Sequence, residues 1–150
     1  MTAQAVRAIE SAWEVVSAHA GEGRSVQRMH KVMRAAGTGQ QVLAVTIFPR
    51  PRAEGEGEEL VMQLALPHGL NLPEGVRIAV DDDEPVRHEI VTADQNGAYA
   101  VIPLDEALLA RLGEGKKLVA LMKNMQGNEI RIEVSLEGFG EAAGKLETAA

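Results

Sequence analysis

VRIAVDDDEPVRHEIVTADQNGAYAVIPLDEALLARL, residues 76–112, decides the fold. Val76, Ile78 and Val80 alternate with Arg77 and Ala79, the two-residue period of a strand that buries one face. The acidic run Asp81-Asp82-Asp83-Glu84-Pro85 then predicts a turn. Val86 to Thr92 and Ala98 to Ile102 flank Asp94-Gln95-Asn96-Gly97, whose Asn-Gly pair tolerates the positive φ angles of a tight hairpin. Asp105 is placed to cap a short helix near 105–112, with Leu104, Leu108, Leu109 and Leu112 as its apolar stripe and Gly113 or Gly115 as its terminator.

Outward from this stretch the same grammar repeats. Leu118 to Met125 and Glu129 to Leu136 flank Gln126-Gly127-Asn128, a second hairpin with Ile130, Ile132, Val134 and Leu136 on one face. Gly138-Phe139-Gly140 ends that strand and opens a short helix or tail through Leu146, with residues 147–150 expected to fray. Upstream, Leu60, Met62, Leu64 and Leu66 alternate until Pro67-His68-Gly69, and Val42 to Phe48 is a β-branched apolar run. Between these two segments, Pro49 to Glu59 is polar and breaker-rich, which predicts a mobile loop. Trp13, Val15 and Ser17 read as a first strand closed by Gly21-Glu22-Gly23, whereas Val26, Met29, His30 and Met33 have helical spacing. Residues 1–11, with Ala5, Val6 and Ile9, predict a peripheral arm or short N-terminal helix. About eight strands, with turns roughly every 8 to 12 residues, make an all-β protein. The expected architecture is an antiparallel β-sandwich of immunoglobulin-like type, one domain over residues 12–146.

Composition excludes several function classes. A chain of 150 residues is long enough to bury its own core. Aromatic residues are only 3%, which leaves little surface for stacking bases or sugars. The net charge of −7 opposes general nucleic-acid binding, which draws its affinity from neutralised phosphates. Arg24, Arg28, Lys31, Arg34, Arg50 and Arg52 would reverse that expectation only by converging on one face. Glu54, Glu56, Glu58 and Glu59 read as solvated charge. Apolar runs such as Val42 to Val45 fall far below the ~18 residues of a membrane-spanning helix. The N-terminus, MTAQAVRAIESAWEVV, has no apolar core of an export signal, and the chain has no cysteine. Cytoplasmic residence is therefore the expectation for the chain as written.

The residues offer little chemistry. His19, His30, His68 and His88 lack zinc-site spacing, and Asp81 to Glu84 lacks the spaced ligands of a calcium loop. With no nucleophile elbow, phosphate-binding glycine loop or cysteine, the sequence predicts no catalytic, cofactor-binding or metal-binding residue and no cofactor. One enzymatic alternative stays open, an acidic and histidine cluster of Asp82, Glu84 and His88. A concave pocket collecting those groups would favour it; an exposed apolar patch or open edge strand would favour a binding protein.

Trp13, Pro67-His68-Gly69-Leu70, Leu72-Pro73-Glu74-Gly75-Val76, Asp81-Asp82, Pro103-Leu104-Asp105 and Ser135-Leu136-Glu137-Gly138-Phe139 occur in an order that resembles the invasion-associated locus B family. The resemblance covers about residues 12–146. It implies a β-sandwich and a strand rather than a helix over Ser25 to Arg34. It further implies a non-enzymatic bacterial protein that binds a protein partner or cell-envelope component, of a kind usually exported to the periplasm or envelope. Family members carry two cysteine pairs; here Ala93 and Ala98 stand at one pair of positions and Ser17 and Val26 at the other. A member folding where disulfides do not form accounts for this, as does a start codon placed downstream of an export signal.

Overall fold

Two-residue alternation builds two sheets whose apolar faces meet. The structure is a computed structural model in which residues 4–5, 8–19, 25–51, 55, 57–95 and 97–148 are described. The strands are β1 (Gln4–Ala5), β2 (Ala8–Glu10), β3 (Glu14–His19), β4 (Ser25–Ala35), β5 (Gln41–Pro51), β6 (Glu58–Leu66), β7 (Val76–Val80), β8 (Val86–His88), β9 (Thr92–Asp94), β10 (Gly97–Leu104), β11 (Lys117–Lys123) and β12 (Glu129–Ser135). Helix α1 (Glu106–Glu114) lies between β10 and β11, and α2 (Phe139–Thr148) follows β12. The smaller sheet runs β1-β12-β11-β7-β8; the larger runs β2-β4-β5-β6-β10-β9, with β3 also paired to β4. Among the described residues every pairing is antiparallel except that of β1 with β12.

The expected β-sandwich is present. Met29, Val45, Ile47, Leu64 and Ile102 of the larger sheet meet Ile78, Leu118, Ala120, Ile132 and Val134 of the smaller in one core. Full burial of each such aliphatic side chain contributes about 1.5–3 kcal/mol, enough to override local spacing. Residues 25–35 show this: Met29, Lys31 and Met33 turn inward at a two-residue period, and the helical spacing of Val26, Met29, His30 and Met33 is not used.

Three sequence expectations need correction. No short N-terminal helix forms among the described residues; Gln4–Ala5 and Ala8–Glu10 are strands, because pairing with Ile130–Arg131 and Met33–Ala35 outweighs weak helix propensity. The proposed loop at 49–59 is shorter than expected. Pro49, Arg50 and Pro51 pair with Leu60, Glu59 and Glu58, beyond the point where the ladder to β4 ends at Ile47, so the prolines sit where no donor is required of them on that side. The chain also stays helical through Thr148 rather than loosening at Glu147. The turn assigned to Gly21-Glu22-Gly23, and Asn96 of the hairpin, lie outside the described residues.

Helix α1 starts where the sequence places it. Asp105 accepts the Leu108 N–H at 2.7 Å, and Leu112 anchors the helix in the core. At the β9–β10 hairpin Gly97 has φ +141°, and a Cβ there would lie 2.3 Å from the Leu66 carbonyl oxygen, so only glycine fits.

Candidate functional site

An apolar recess lies where β8, the edge of the smaller sheet, approaches α1. The turn that feeds β8 is pinned twice. Asp81 holds a positive φ of 53° while its carboxylate accepts the Lys116 and Lys117 N–H groups at 2.9 and 3.0 Å. Those two backbone donors hold its carboxyl below the usual carboxylate range. Asp83 accepts from Nε and Nη2 of Arg111 at 3.0 and 2.9 Å, tying the turn to α1 and raising the arginine's already high pKa. Between these anchors opens a groove of about 390 Å³, lined by Ile78, Val80, Val86, Pro103, Ala107 and Leu108, with Glu84, His88, Asp105 and Arg111 as its polar members. Val86 is 58% exposed although it lies in a strand. Burial pushes the His88 imidazole below its ordinary value, favouring the neutral ring. Among the described residues the outer edge of β8 pairs with no strand.

The structure brings Glu84 and His88 to this groove but leaves Asp82 out of its lining. Asp105 is occupied as the α1 cap and Arg111 by Asp83. Elsewhere, His30 lies 3.8 Å from Glu14 and His68 contacts the Gln95 carbonyl at 2.9 Å; the side chain of His19 is outside the description. No group of three or more metal-ligating side chains occurs among the described residues. Of the basic residues, Lys31 turns inward, while Arg28 lies over the Phe48 ring, Arg34 reaches the Gly39 carbonyl and Arg50 pairs with Glu59. Arg24 and Arg52 are outside the described residues. No described helix is long and apolar enough to cross a membrane.

Residues 13–147 match the family model described as Invasion associated locus B (IalB) protein. The chain belongs to the IalB family. A crystal structure of invasion associated protein B from Bartonella henselae is similar to it with a TM-score of 0.76 and 23% identity, over 93% of this chain and 95% of that one. At that identity the likeness establishes the shared fold. No curated protein matches the chain.

The register tests the cysteine positions that the IalB resemblance implied. Ala93 and Ala98 are direct cross-strand partners in β9 and β10, as a bridged pair would be. Ser17 and Val26 are not; Ser17 faces Gln27, and Val26 faces Ala18. The second assignment is therefore out of step by one residue.

This IalB chain also contains a polar seam that its sequence did not disclose. Glu10 pairs with Met33 and Glu14 with His30, so Ser11, Ala12 and Trp13 oppose only Lys31 and Val32, a β-bulge. Ser11 keeps the ladder closed there: its N–H donates to the Val32 carbonyl, and its hydroxyl accepts the Val32 N–H. Trp13 packs edge-on against Phe139 with ring centroids 5.2 Å apart and donates its indole N–H to the Ser135 carbonyl. The same carbonyl accepts from Nζ of Lys31, which is only 4% exposed and lies 3.2 Å from the Glu10 carboxylate. Glu10 in turn accepts the Ser135 N–H at 2.7 Å, so one carboxylate ties β2 and β4 to β12. A lysine amid apolar residues breaks the hydrophobic pattern by which buried strands are recognised.

Proposed function

We propose that the protein is a non-enzymatic IalB-type β-sandwich that binds a protein partner, and that the partner docks as an extended segment along β8. The observation that carries this is the groove beside an unpaired strand edge. Val86 is presented there half-stripped of protein contacts, next to an apolar floor of Ile78, Val80, Pro103 and Leu108. An exposed edge offers backbone donors and acceptors, and the groove takes alternate side chains of an added strand. The enzymatic reading keeps one supporting observation, that Glu84 and His88 line the same groove. It is the weaker reading because the other polar residues, Asp105 and Arg111, are committed to holding α1 in place. The cysteine-free composition fits residence in a reducing compartment.

The test compares affinity capture by the native chain and by Val86→Asp, followed by hydrogen-exchange mapping on the captured complex. A partner that protects residues 86–91 and α1, and that is lost with Val86→Asp, supports the proposal. A partner that protects β2 and β3, or binds both proteins equally, overturns the assignment to β8. Turnover of a substrate that is lost in Glu84→Gln and His88→Gln would return the groove to the enzymatic reading.

A further inference from the structure

The two sheets turn their inner faces to a common core, but their outer faces differ in chemistry. On the smaller sheet the outward positions of β7, β11 and β12 carry Arg77, Lys117, Lys123, Glu129, Arg131 and Glu133, with Arg77 paired to Glu129 and both Lys117 and Arg131 paired to Glu133. That is the usual solution for a sheet with one face in water. The larger sheet departs from it. In register across β4, β5, β6 and β10, Val32, Ala44, Ala65 and Tyr99 form one outward row, and Thr46, Gln63 and Val101 form the next beside His30. Phe48 and Val61 begin a third. Over these rows β5, β6 and β10 present no charge, although a quarter of the chain is charged.

These side chains belong to no core. All but Val61 keep part of their surface accessible. Both helices serve the inner side, since Leu112 of α1 and Phe139, Ala142 and Leu146 of α2 join the core cluster, and that cluster includes none of the outward residues. Charge returns at the rim, with the Glu14–His30 pair on one side, Arg28 over the Phe48 ring and the Arg50–Glu59 pair at one end, and Asp94 beside the Tyr99 hydroxyl on the other side. A neutral centre inside a polar rim is the anatomy of a contact surface.

We infer that this face packs against the same face of a second copy of the chain, forming a weak two-fold dimer. Two properties select a copy over a foreign protein. Partner surfaces are matched by complementary charge, and a face without charge is complemented by one that is neutral as well. A two-fold contact also sets residues near its axis against their own copies, which disfavours any charged side chain there and suits groups that both donate and accept. Thr46 and Gln63, cross-strand partners in the middle row, carry such groups: a hydroxyl and a carboxamide can each hydrogen-bond to another of the same kind. Four strands about 4.8 Å apart and three rows about 6.8 Å apart make a face of roughly 400 Å², so two copies cover roughly 800 Å² plus their rims. This lies at the low end for specific contacts and gives a reversible dimer rather than an obligate one. Each copy also brings a net charge of −7, a repulsion that salt screens while leaving the neutral contact intact. The inference is independent of β8, which lies at the edge of the other sheet.

Sedimentation equilibrium of the intact chain tests this from about 1 μM to about 1 mM, the range in which a contact of this size dissociates. The expected result is a concentration-dependent dimer that strengthens as salt is raised. Gln63→Lys and Gln63→Glu place like charges across the contact and should each weaken association about tenfold or more, while an equal mixture of the two should restore it. Circular dichroism and urea midpoints show whether the variants keep the native fold; if they do not, Thr46→Lys and Thr46→Glu on the neighbouring strand replace them. A chain that stays monomeric throughout, a dimer that both charged variants retain, association that fades with added salt, or a mixture of folded variants no more associated than either alone would each overturn the inference.

Discussion

Replacing Ala93 and Ala98 by cysteine tests the register of the β9–β10 hairpin at one atomic contact. The two residues are direct antiparallel partners, for which Cα atoms lie roughly 4.5–5.5 Å apart, inside the roughly 4.4–6.8 Å window of a disulfide. Closing a loop of about six residues removes roughly 7 cal/mol/K of chain entropy from the unfolded state, or about 2 kcal/mol at room temperature. With an urea m-value of about 2 kcal/mol/M, the oxidised form should unfold about 1 M later than the reduced form. Thiol titration reports whether the bond forms, and paired urea curves with and without reductant give its contribution. The double variant Ser17→Cys/Val26→Cys is the control, since its residues are one step out of register and should stay as free thiols. Free thiols in Ala93→Cys/Ala98→Cys after mild oxidation, or coincident oxidised and reduced curves, would refute the placement of β9 on β10.

Four further outcomes are expected. Glu10→Ala leaves the Lys31 ammonium without its carboxylate and the Ser135 N–H without its acceptor, so it should cost about 1–3 kcal/mol by urea unfolding; adding Lys31→Met should recover part of the loss, and strict additivity would count against the seam. Gly97→Ala forces a Cβ against the Leu66 carbonyl at a φ that L residues avoid and should cost about 2 kcal/mol or more, whereas Gly144→Ala, in open space within α2, should be neutral or mildly stabilising in the same assay. Asp81 has a folded-state pKa below its unfolded value of about 3.9, so its contribution is intact at neutral pH and disappears as pH falls through the folded value. Asp81→Asn should flatten the acid limb of a plot of urea midpoint against pH, and an unchanged limb would contradict the assigned bonds. His88 has the opposite charge type: its lowered pKa means that the unfolded chain binds the proton first, so stability should decline as pH drops below about 6.5, and His88→Gln should remove that decline.

What could be read in the sequence was whatever depends on near neighbours. The alternation in Val76 to Val80 and Glu129 to Ser135, the cap at Asp105 and the turn before Gly97 all rest on contacts within a few residues, and each is found; the strand expected over Val86 to Thr92 instead divides, Val86–His88 joining the smaller sheet and only Thr92–Asp94 pairing with β10. Prolines misled at 49–51 because their breaker character matters only where a ladder needs their missing N–H, and the sheet edge that frees them is set by the reach of β4. The N-terminal strands were hidden for a related reason, since the partners of Gln4 and Ala5 are at Ile130 and Arg131. Of the groove's polar members, Glu84 and His88 are legible as part of an acidic and histidine cluster and Asp105 as a helix cap, but not as neighbours. The apolar floor is ordinary core sequence until the fold sets α1 and the Asp81 turn beside β8. That β8 ends its sheet among the described residues is equally a property of topology, because Val86 to His88 reads like any strand until the sheet order is known.

The seam at Lys31 also sets an order of events during synthesis. Its acceptor, the Ser135 carbonyl, lies 104 residues further along the chain, and Glu10 must wait across 125 residues for the Ser135 N–H. A growing chain can pair β4 with β2, β5 and β6 soon after they are made, which brings Glu10 to Lys31, but the pair then sits without its Ser135 partners on the face destined for the core. Only when β12 has emerged can it arrive and close over them. A strand made more than a hundred residues later is thus what commits β2 and β4 to their places, and a product truncated before β12 would be left with the cost of Lys31 written on its surface.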